Sequence, residues 1–291
     1  MTRRRLLLAA LAAVAALAGF ALVRTPVPAS SGPPVQPSGG ENAPHTHVGM
    51  VGMSGGTVPV GGTSARAGGY AFVPSRTGFA AGVPAAFTFQ VLGPDGRPVT
   101  RFALVHDRLL HLVVVREDLS GYQHLHPTMA AGGTWSIELT LPEPGRYRAY
   151  ADFSALDARG AQTAAVLAVA LTVPGAAPAR PLPGPSRTAT VAGFTVSVAG
   201  TPATGVVQPV LFRVDDAGTP AVLQPYLGAY GHLVMLRQAD LGYLHIHPEA
   251  QLLDGAIVFW VAAPGTGTYR LYLDFQVAGA VHTAEFTIAV S

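Results

Sequence analysis

The sequence contains no cysteine and no lysine, and only 12% of its 291 residues are charged. Without cysteine there is no disulfide framework, no thiolate ligand and no lipid attached through a cysteine. A bound metal ion would therefore need imidazole, carboxylate or thioether ligands.

Positive charge is also too sparse for nucleic-acid binding. The 18 basic residues are all arginines, and four of them, Arg3, Arg4, Arg5 and Arg24, lie near the N-terminus. The remaining 14 face 16 acidic residues, so the rest of the chain has no basic excess. We therefore expect no nucleic-acid partner.

The N-terminus has the pattern of an export segment. MTRRR precedes an uninterrupted apolar run from Leu6 to Val23, which is typical of a signal peptide. The run is also long enough to span a bilayer, and Val27-Pro28-Ala29 resembles a cleavage site. Residues 1–29 are predicted to be a cleaved signal peptide or a retained N-terminal membrane anchor helix. Either way the protein is exported and extracytoplasmic, secreted or anchored to the cytoplasmic membrane.

Glycine and proline, 34 and 25 residues respectively, divide the rest of the chain. Residues 30–69 are rich in proline, glycine and serine, which predicts a disordered tether. A second proline-rich stretch, PGAAPARPLPGPSR at 174–187, is predicted to be a linker. These segments separate two domains, 70–173 and 188–291, which we call repeat 1 and repeat 2.

The two domains are copies of each other. TFQVLGPDGRPV at 88–99 corresponds to LFRVDDAGTPAV at 211–222, and LPEPGRYRAYADF at 141–153 to AAPGTGTYRLYLDF at 262–275. Short apolar strands separated by turns every 8 to 12 residues or so favour an all-β class. We predict two tandem Ig-like or cupredoxin-like antiparallel β-sandwiches.

Both copies carry a histidine triplet. HLVVVREDLSGYQHLHP starts at His111 and HLVMLRQADLGYLHIHP at His232; in each, a histidine precedes H-x-H-P by thirteen positions. A hairpin would place both histidines of H-x-H on one face and pair the first histidine with the last. Three imidazoles would then meet, so we predict one metal site per repeat. The predicted ligands are His111, His124 and His126 in repeat 1, and His232, His245 and His247 in repeat 2.

Further ligands are less regular. Asp152 and Asp274 occupy matching positions late in a strand, where each would be a ligand, a partner that orients an imidazole, or a capping or salt-bridging residue. His106 and His282 have no counterpart in the other repeat and are possible extra ligands. The tether contributes a histidine and methionine motif that suits copper. Its possible ligands are His45, His47, Met50 and Met53.

The H-L-x-V, H-x-H-P and Y-x-D-F elements together resemble exported tandem-domain heavy-metal-binding proteins of high-GC bacteria, mostly labelled hypothetical or secreted. The resemblance covers residues 70–291. The architecture is also similar to that of bacterial periplasmic copper-binding β-sandwiches, although the cysteine or methionine-rich blue-copper loop is missing. The resemblance implies a metal-binding module.

These patterns favour an exported metal-binding protein, with copper as the cofactor and zinc as the alternative, acting in metal sequestration, delivery or resistance. Its partners would be metal ions and, through an uncleaved leader, the membrane. One alternative is a metalloenzyme with a three-histidine zinc or copper centre; we expect no enzyme, because Asp152 and Asp274 are the only recurring acid–base candidates. The other alternative is a structural or adhesive β-sandwich pair without metal.

Overall fold

The computed structural model describes residues 61–246 and 248–291, and for His245 the backbone alone. The described residues form β-strands and no helix, which confirms the predicted all-β class. The predicted leader lies outside the described residues, as does the tether up to residue 60. In the part that is described, no helix has the length and apolarity needed to cross a membrane.

Repeat 1 is a sandwich of two antiparallel sheets. One sheet has the strand order β1-β2-β3-β7-β6 and the other the order β5-β4-β8-β9. Its strands are β1 (Arg66–Ala67), β2 (Tyr70–Pro74), β3 (Ala85–Leu92), β4 (Leu110–Arg116), β5 (Gln123–Leu125), β6 (Thr128–Met129), β7 (Thr134–Leu139), β8 (Gly145–Leu156) and β9 (Gln162–Val173).

Repeat 2 has the same plan. One sheet has the order β10-β11-β13-β18-β12 with β14 beside β13, and the other the order β15-β19-β16-β17 with β20 beside β19. Only the two-residue pairing of β12 with β18 is parallel among the described pairs of named strands. The strands are β10 (Thr188–Val191), β11 (Phe194–Ala199), β12 (Ala203–Thr204), β13 (Gln208–Asp216), β14 (Thr219–Pro220), β15 (Leu223–Gln224), β16 (Gly231–Arg237), β17 (Tyr243–His245), β18 (Ile257–Ala263), β19 (Gly267–Val277) and β20 (Ala280–Val290).

The burial of each strand follows from its sequence pattern. β3 (AAFTFQVL) and β13 (QPVLFRVDD) alternate between buried residues and residues that are partly or fully exposed, as expected for strands with one face on a core. By contrast, β4 (LHLVVVR) is buried along its whole length, and β16 (GHLVMLR) is buried up to its last residue. These two strands must therefore be covered on both faces.

A tyrosine closes the same corner in each sandwich. The Tyr147 hydroxyl donates to the Glu143 carbonyl at 2.8 Å, and the Tyr269 hydroxyl donates to the Gly265 carbonyl at 2.7 Å. A tyrosine that bonds the backbone a few residues upstream is a recurring feature of Ig-like sandwiches. The duplication seen in the sequence is therefore also a duplication of local structure.

The second face of β4 and β16 is covered by the other repeat, and both repeats belong to one compact unit. A separate apolar cluster forms there, apart from the core of either sandwich. We call this cluster the inter-repeat core. Its buried members are Val113, Val115, Leu119, Tyr150, Ala168, Val234, Leu236, Leu241, Tyr243 and Tyr272.

Two tyrosine hydroxyls fasten the inter-repeat core in a reciprocal way. Tyr150 of repeat 1 donates to the Leu241 carbonyl of repeat 2 at 2.7 Å. Tyr272 of repeat 2 donates to the Leu119 carbonyl of repeat 1, also at 2.7 Å. Both acceptor leucines have positive φ angles, 58° at Leu241 and 64° at Leu119, so matching turns present the two carbonyls.

Repeat 1 begins earlier than the predicted boundary at residue 70. Strand β1 falls inside the predicted tether, 30–69, and so does Gly61, which forms a bridge with Tyr243 of repeat 2. The Gly62 amide also donates to the Val166 carbonyl of β9 at 2.9 Å. Glycine permits this approach, because a Cβ on Gly62 would lie 2.5 Å from the Tyr150 ring.

At the other end of repeat 1, β9 stops at Val173 and β10 starts at Thr188, on either side of the proline-rich segment.

Candidate metal site between the repeats

The hairpin of β4 and β5 carries the first histidines, in the predicted register. Val113 pairs with His124 and Leu112 with Leu125, which continues to His111 opposite His126. Directly paired residues of antiparallel strands point to the same face. His111 and His124 therefore share a face with Val113, and that face belongs to the inter-repeat core.

Strand β16 brings His232 to the same place from repeat 2. His232 alternates along the strand with Val234 and Leu236, which also belong to the inter-repeat core. As a result, ligand atoms of His111, His124 and His232 all lie within 4.8 Å of one another. We call these residues the histidine trio. His111 and His232 are 1% and 5% exposed, and the side chain of His124 is 3% exposed.

The trio differs from the predicted sites. The sequence predicts a separate site in each repeat, with His126 beside His111 and His124, whereas the structure places His232 there. The His126 ring lies 5.1 Å from His111 and 4.8 Å from His124 but is not part of the trio. The physical reason is that the faces of β4 and β16 that carry His111 and His232 point away from the core of their own sandwich. The two sandwiches pack against each other through these faces, so histidines of both repeats meet.

Two hydrogen bonds fix the tautomers of the repeat 1 histidines. Nε2 of His111 lies 2.8 Å from the Val105 carbonyl oxygen, which only accepts, so this nitrogen carries the proton. Nδ1 of His124 lies 2.7 Å from Oδ2 of Asp274 and donates to that carboxylate. Asp274 is oriented in turn by Thr283, whose hydroxyl donates to Oδ1 at 2.6 Å.

These bonds leave two lone pairs face to face. If both rings are neutral, Nδ1 of His111 and Nε2 of His124 are both acceptors, and they are 2.9 Å apart. Two acceptors at that distance repel unless a proton or a cation lies between or beside them. The arrangement therefore calls for positive charge next to the Asp274 carboxylate.

The trio fits a metal ion bound through imidazole. Two nitrogens bound at about 2.0–2.1 Å lie roughly 2.9–3.4 Å apart for angles near 90–110°, and their ring centres lie roughly 4.5–5.5 Å apart. The nitrogens of His111 and His124 are 2.9 Å apart. The centroid distances within the trio are 5.2, 5.1 and 4.5 Å. The ligand atoms of the whole trio lie within 4.8 Å of one another, so the three rings would have to draw closer together to share one ion.

The surroundings keep nearby groups neutral. Burial, followed by the nearby His124 and His111, lowers the pKa of His126 to about 3, so this imidazole is neutral at physiological pH. Its Nε2 is buried and makes no hydrogen bond within the described residues. Burial also raises the pKa of Tyr122 and of Tyr243 well above 10.

The two predicted aspartates lie at matching positions. Asp152 pairs with His111 across β8 and β4, and Asp274 pairs with His232 across β19 and β16. Both are buried, with 5% and 2% exposure. Asp274 orients an imidazole of the other repeat, which is one of the roles that the sequence left open.

The remaining predicted ligands have different positions. His106 lies beside the trio, 5.2 Å from His232 between ring centroids. His282 instead packs against Phe194 and Phe275 at 5.0 and 5.5 Å within repeat 2. His245 ends β17 opposite Val234, the register position that His124 has in β5. The candidates that lie outside the described residues are His45, His47, Met50, Met53 and His247.

Sequence reasoning missed that histidines of both repeats meet in one cluster. A usable signal was present: Val113, Val115, Val234 and Leu236 lie on the histidine faces of β4 and β16. Apolar residues on that face would be exposed if the sandwiches stood apart. The Val105 carbonyl carried no signal, because every residue has one.

Fold and site together define a protein of two Ig-like β-sandwiches that share a buried histidine trio. The chain belongs to the family described as Domain of unknown function (DUF8832), whose model matches residues 65–171 and 189–291. No curated protein matches the chain significantly.

Several solved structures are similar in fold. FdeC, an Escherichia coli adhesin, has 14% identity and a TM-score of 0.25 over 77% of this chain and 64% of that chain. A bacterial ice-binding adhesin has 13% identity and a TM-score of 0.24 over 76% and 64%. The N-terminal Ig1-2 module of the Drosophila receptor protein tyrosine phosphatase DLAR has 10% identity and a TM-score of 0.20 over 76% and 97%. The chain thus spans less than two thirds of the two adhesin chains.

Proposed function

We propose that this protein is an exported metal-binding protein that holds one ion at the histidine trio. The observation that carries the proposal is the 2.9 Å contact between Nδ1 of His111 and Nε2 of His124, whose tautomers are set by Val105 and Asp274. A cation there relieves the repulsion between two lone pairs and is balanced by the Asp274 carboxylate. His232 supplies a third imidazole from the other repeat.

Copper is the ion that this donor set favours, with zinc as the alternative. Nitrogen sites bind divalent first-row metals in an order that peaks at Cu²⁺. No thiolate is present anywhere in the chain, so the site does not select the softest ions. The role would be sequestration, delivery or resistance outside the cytoplasm, secreted or held by the N-terminal segment, and without catalysis.

A second candidate is a structural or adhesive sandwich pair without metal. It is favoured by the same hydrogen bonds, because one additional proton would turn the contact between His111 and His124 into an imidazole–imidazolium bond beside Asp274. In that case the cluster would hold the repeats together and bind nothing.

Metal analysis of the full chain separates the two candidates. The tether candidates His45, His47, Met50 and Met53 are first replaced by alanine, so that only ions elsewhere are counted. After treatment with EDTA, the protein is titrated with Cu²⁺ and with Zn²⁺, and bound metal is measured by mass spectrometry. We expect one equivalent, lost in His232→Asn and retained in the matched control His282→Asn. Metal at background level in the parent protein would leave the structural candidate.

A further inference from the structure

A tight turn in repeat 1 adopts an uncommon backbone next to the trio. It runs from Val105 to Arg108 and is closed by two backbone hydrogen bonds of 2.8 and 3.1 Å. Its two central residues, His106 and Asp107, both have positive φ angles, 49° and 58°. A type I′ turn requires this conformation, and it is usually filled by glycine or asparagine.

Repeat 2 contains the matching turn, from Tyr226 to Ala229. Its central residues also have positive φ angles, 56° at Leu227 and 79° at Gly228. The backbone of the two turns is therefore the same, and only the side chains differ. Repeat 1 has histidine and aspartate where repeat 2 has leucine and glycine, although glycine at the second position avoids the cost of left-handed backbone.

The histidine in the repeat 1 turn points at the trio. The His106 ring centre lies 5.2 Å from that of His232, with the rings at 88°, and 6.0 Å from that of His111. Nε2 of His106 is shielded from solvent. The distance to His232 falls within the range of roughly 4.5–5.5 Å for imidazoles on one ion, whereas the 6.0 Å to His111 lies outside that range, so the His106 ring would have to move towards His111 to share the ion.

We propose that His106 is the fourth imidazole ligand of the ion held by the histidine trio, so that the chain binds one Cu²⁺ or Zn²⁺ ion in a closed four-histidine site. This inference rests on the proposed function. Four protein ligands are typical of sites that hold a metal rather than activate a substrate on it. The matching turn of repeat 2 has Leu227 at the position of His106. Only the turn of repeat 1 can therefore supply a fourth imidazole.

The sequence of repeat 2 supplies the test variants. His106→Leu removes the imidazole and introduces the leucine that repeat 2 has at the matching position, Leu227. Asp107→Gly copies Gly228 and keeps the imidazole. Both are made in the full chain in which the tether candidates His45, His47, Met50 and Met53 have been replaced, and Cu²⁺ and Zn²⁺ are the probes. Affinity is measured by competition with a chromophoric chelator, and the imidazoles bound to Cu²⁺ are counted by pulsed electron paramagnetic resonance.

We expect four coupled imidazoles in the parent protein and three in His106→Leu. Loss of an orienting partner already costs about 10–100-fold in metal affinity, so loss of a ligand should cost about 100-fold or more. Asp107→Gly should keep the affinity and the imidazole count. Near-ultraviolet circular dichroism checks that both variants keep the fold.

The outcomes distinguish the two proposals. If the parent protein binds one ion and His106→Leu binds it with unchanged affinity and imidazole count, the fourth ligand is overturned and the trio stands. If the parent protein binds no ion, the proposed function itself fails. Equal loss in His106→Leu and Asp107→Gly would assign the effect to the turn and overturn the role of the imidazole.

Discussion

Asp274 of repeat 2 accepts a hydrogen bond of 2.7 Å from Nδ1 of His124 in repeat 1. A carboxylate of one sandwich thus sets the tautomer of an imidazole on the other. The Nε2 atom of that imidazole then faces Nδ1 of His111. Carboxylates that orient metal-binding histidines recur in metalloproteins. Here the orienting carboxylate and the imidazole belong to different copies of one duplicated domain, so the proposed metal binding would depend on how the copies pack.

Replacement of Asp274 by asparagine should weaken metal binding without removing a ligand. The amide keeps the size of the side chain but not its negative charge, so His124 loses its charged acceptor. We expect about 10–100-fold lower affinity for Cu²⁺, measured by chelator competition. The matched control is Asp254→Asn, an exposed aspartate outside the trio, which should bind as the parent protein does. Equal affinity in the two variants would contradict the orienting role.

The reciprocal tyrosine bonds should stabilise the packed repeats. Tyr150→Phe and Tyr272→Phe each remove a hydroxyl and leave the Leu241 or Leu119 carbonyl without its donor. A buried polar group left unpaired costs about 1–3 kcal/mol. Urea denaturation should show a loss of this size for each variant. In Tyr70→Phe, whose hydroxyl makes no hydrogen bond within the described residues, the change should stay within about 0.5 kcal/mol. A Tyr150→Phe variant as stable as this control would contradict a stabilising role for the tyrosine hydrogen bonds between the repeats.

Gly62 and Gly68 form a natural pair for testing the segment that enters between the repeats. Both have positive φ angles, 68° and 58°, so alanine strains the backbone similarly at each, by about 1–2 kcal/mol. A Cβ at Gly62 would meet the Tyr150 ring at 2.5 Å, whereas one at Gly68 would meet nothing within 4 Å. We expect Gly62→Ala to unfold more easily than Gly68→Ala by about 1–3 kcal/mol, the usual cost of overpacking. Equal losses of stability in the two variants would mean that the segment around Gly62 moves to accommodate the added methyl group.

The hairpin register was predictable, because period-two alternation and the turn length together place His111 opposite His126. The choice of partner for its histidine face was not. Alternation separates the two faces of β4 but does not say what covers the second one, and here the cover is a domain more than a hundred residues away. Likewise, no local pattern marks Asp274 as the partner of His124 rather than of the adjacent His232. Such contacts depend on packing between domains, which a single sequence does not encode locally.

Stability should fall with decreasing pH through the titration of His126. Its pKa is about 3 in the folded protein against an ordinary value of 6.5, because burial and the neighbouring imidazoles disfavour the charged ring. Between these values the unfolded chain binds more protons than the folded one, so the stability contributed by His126 is complete above about pH 6.5 and declines as the pH is lowered towards 3. Urea denaturation in EDTA at pH 8, 7, 6 and 5 should show this decline below pH 6.5. His126→Gln, which cannot gain the proton, should show a shallower decline, and His282→Gln should follow the parent protein. Parallel curves for His126→Gln and the parent would mean that His126 does not contribute to the pH dependence.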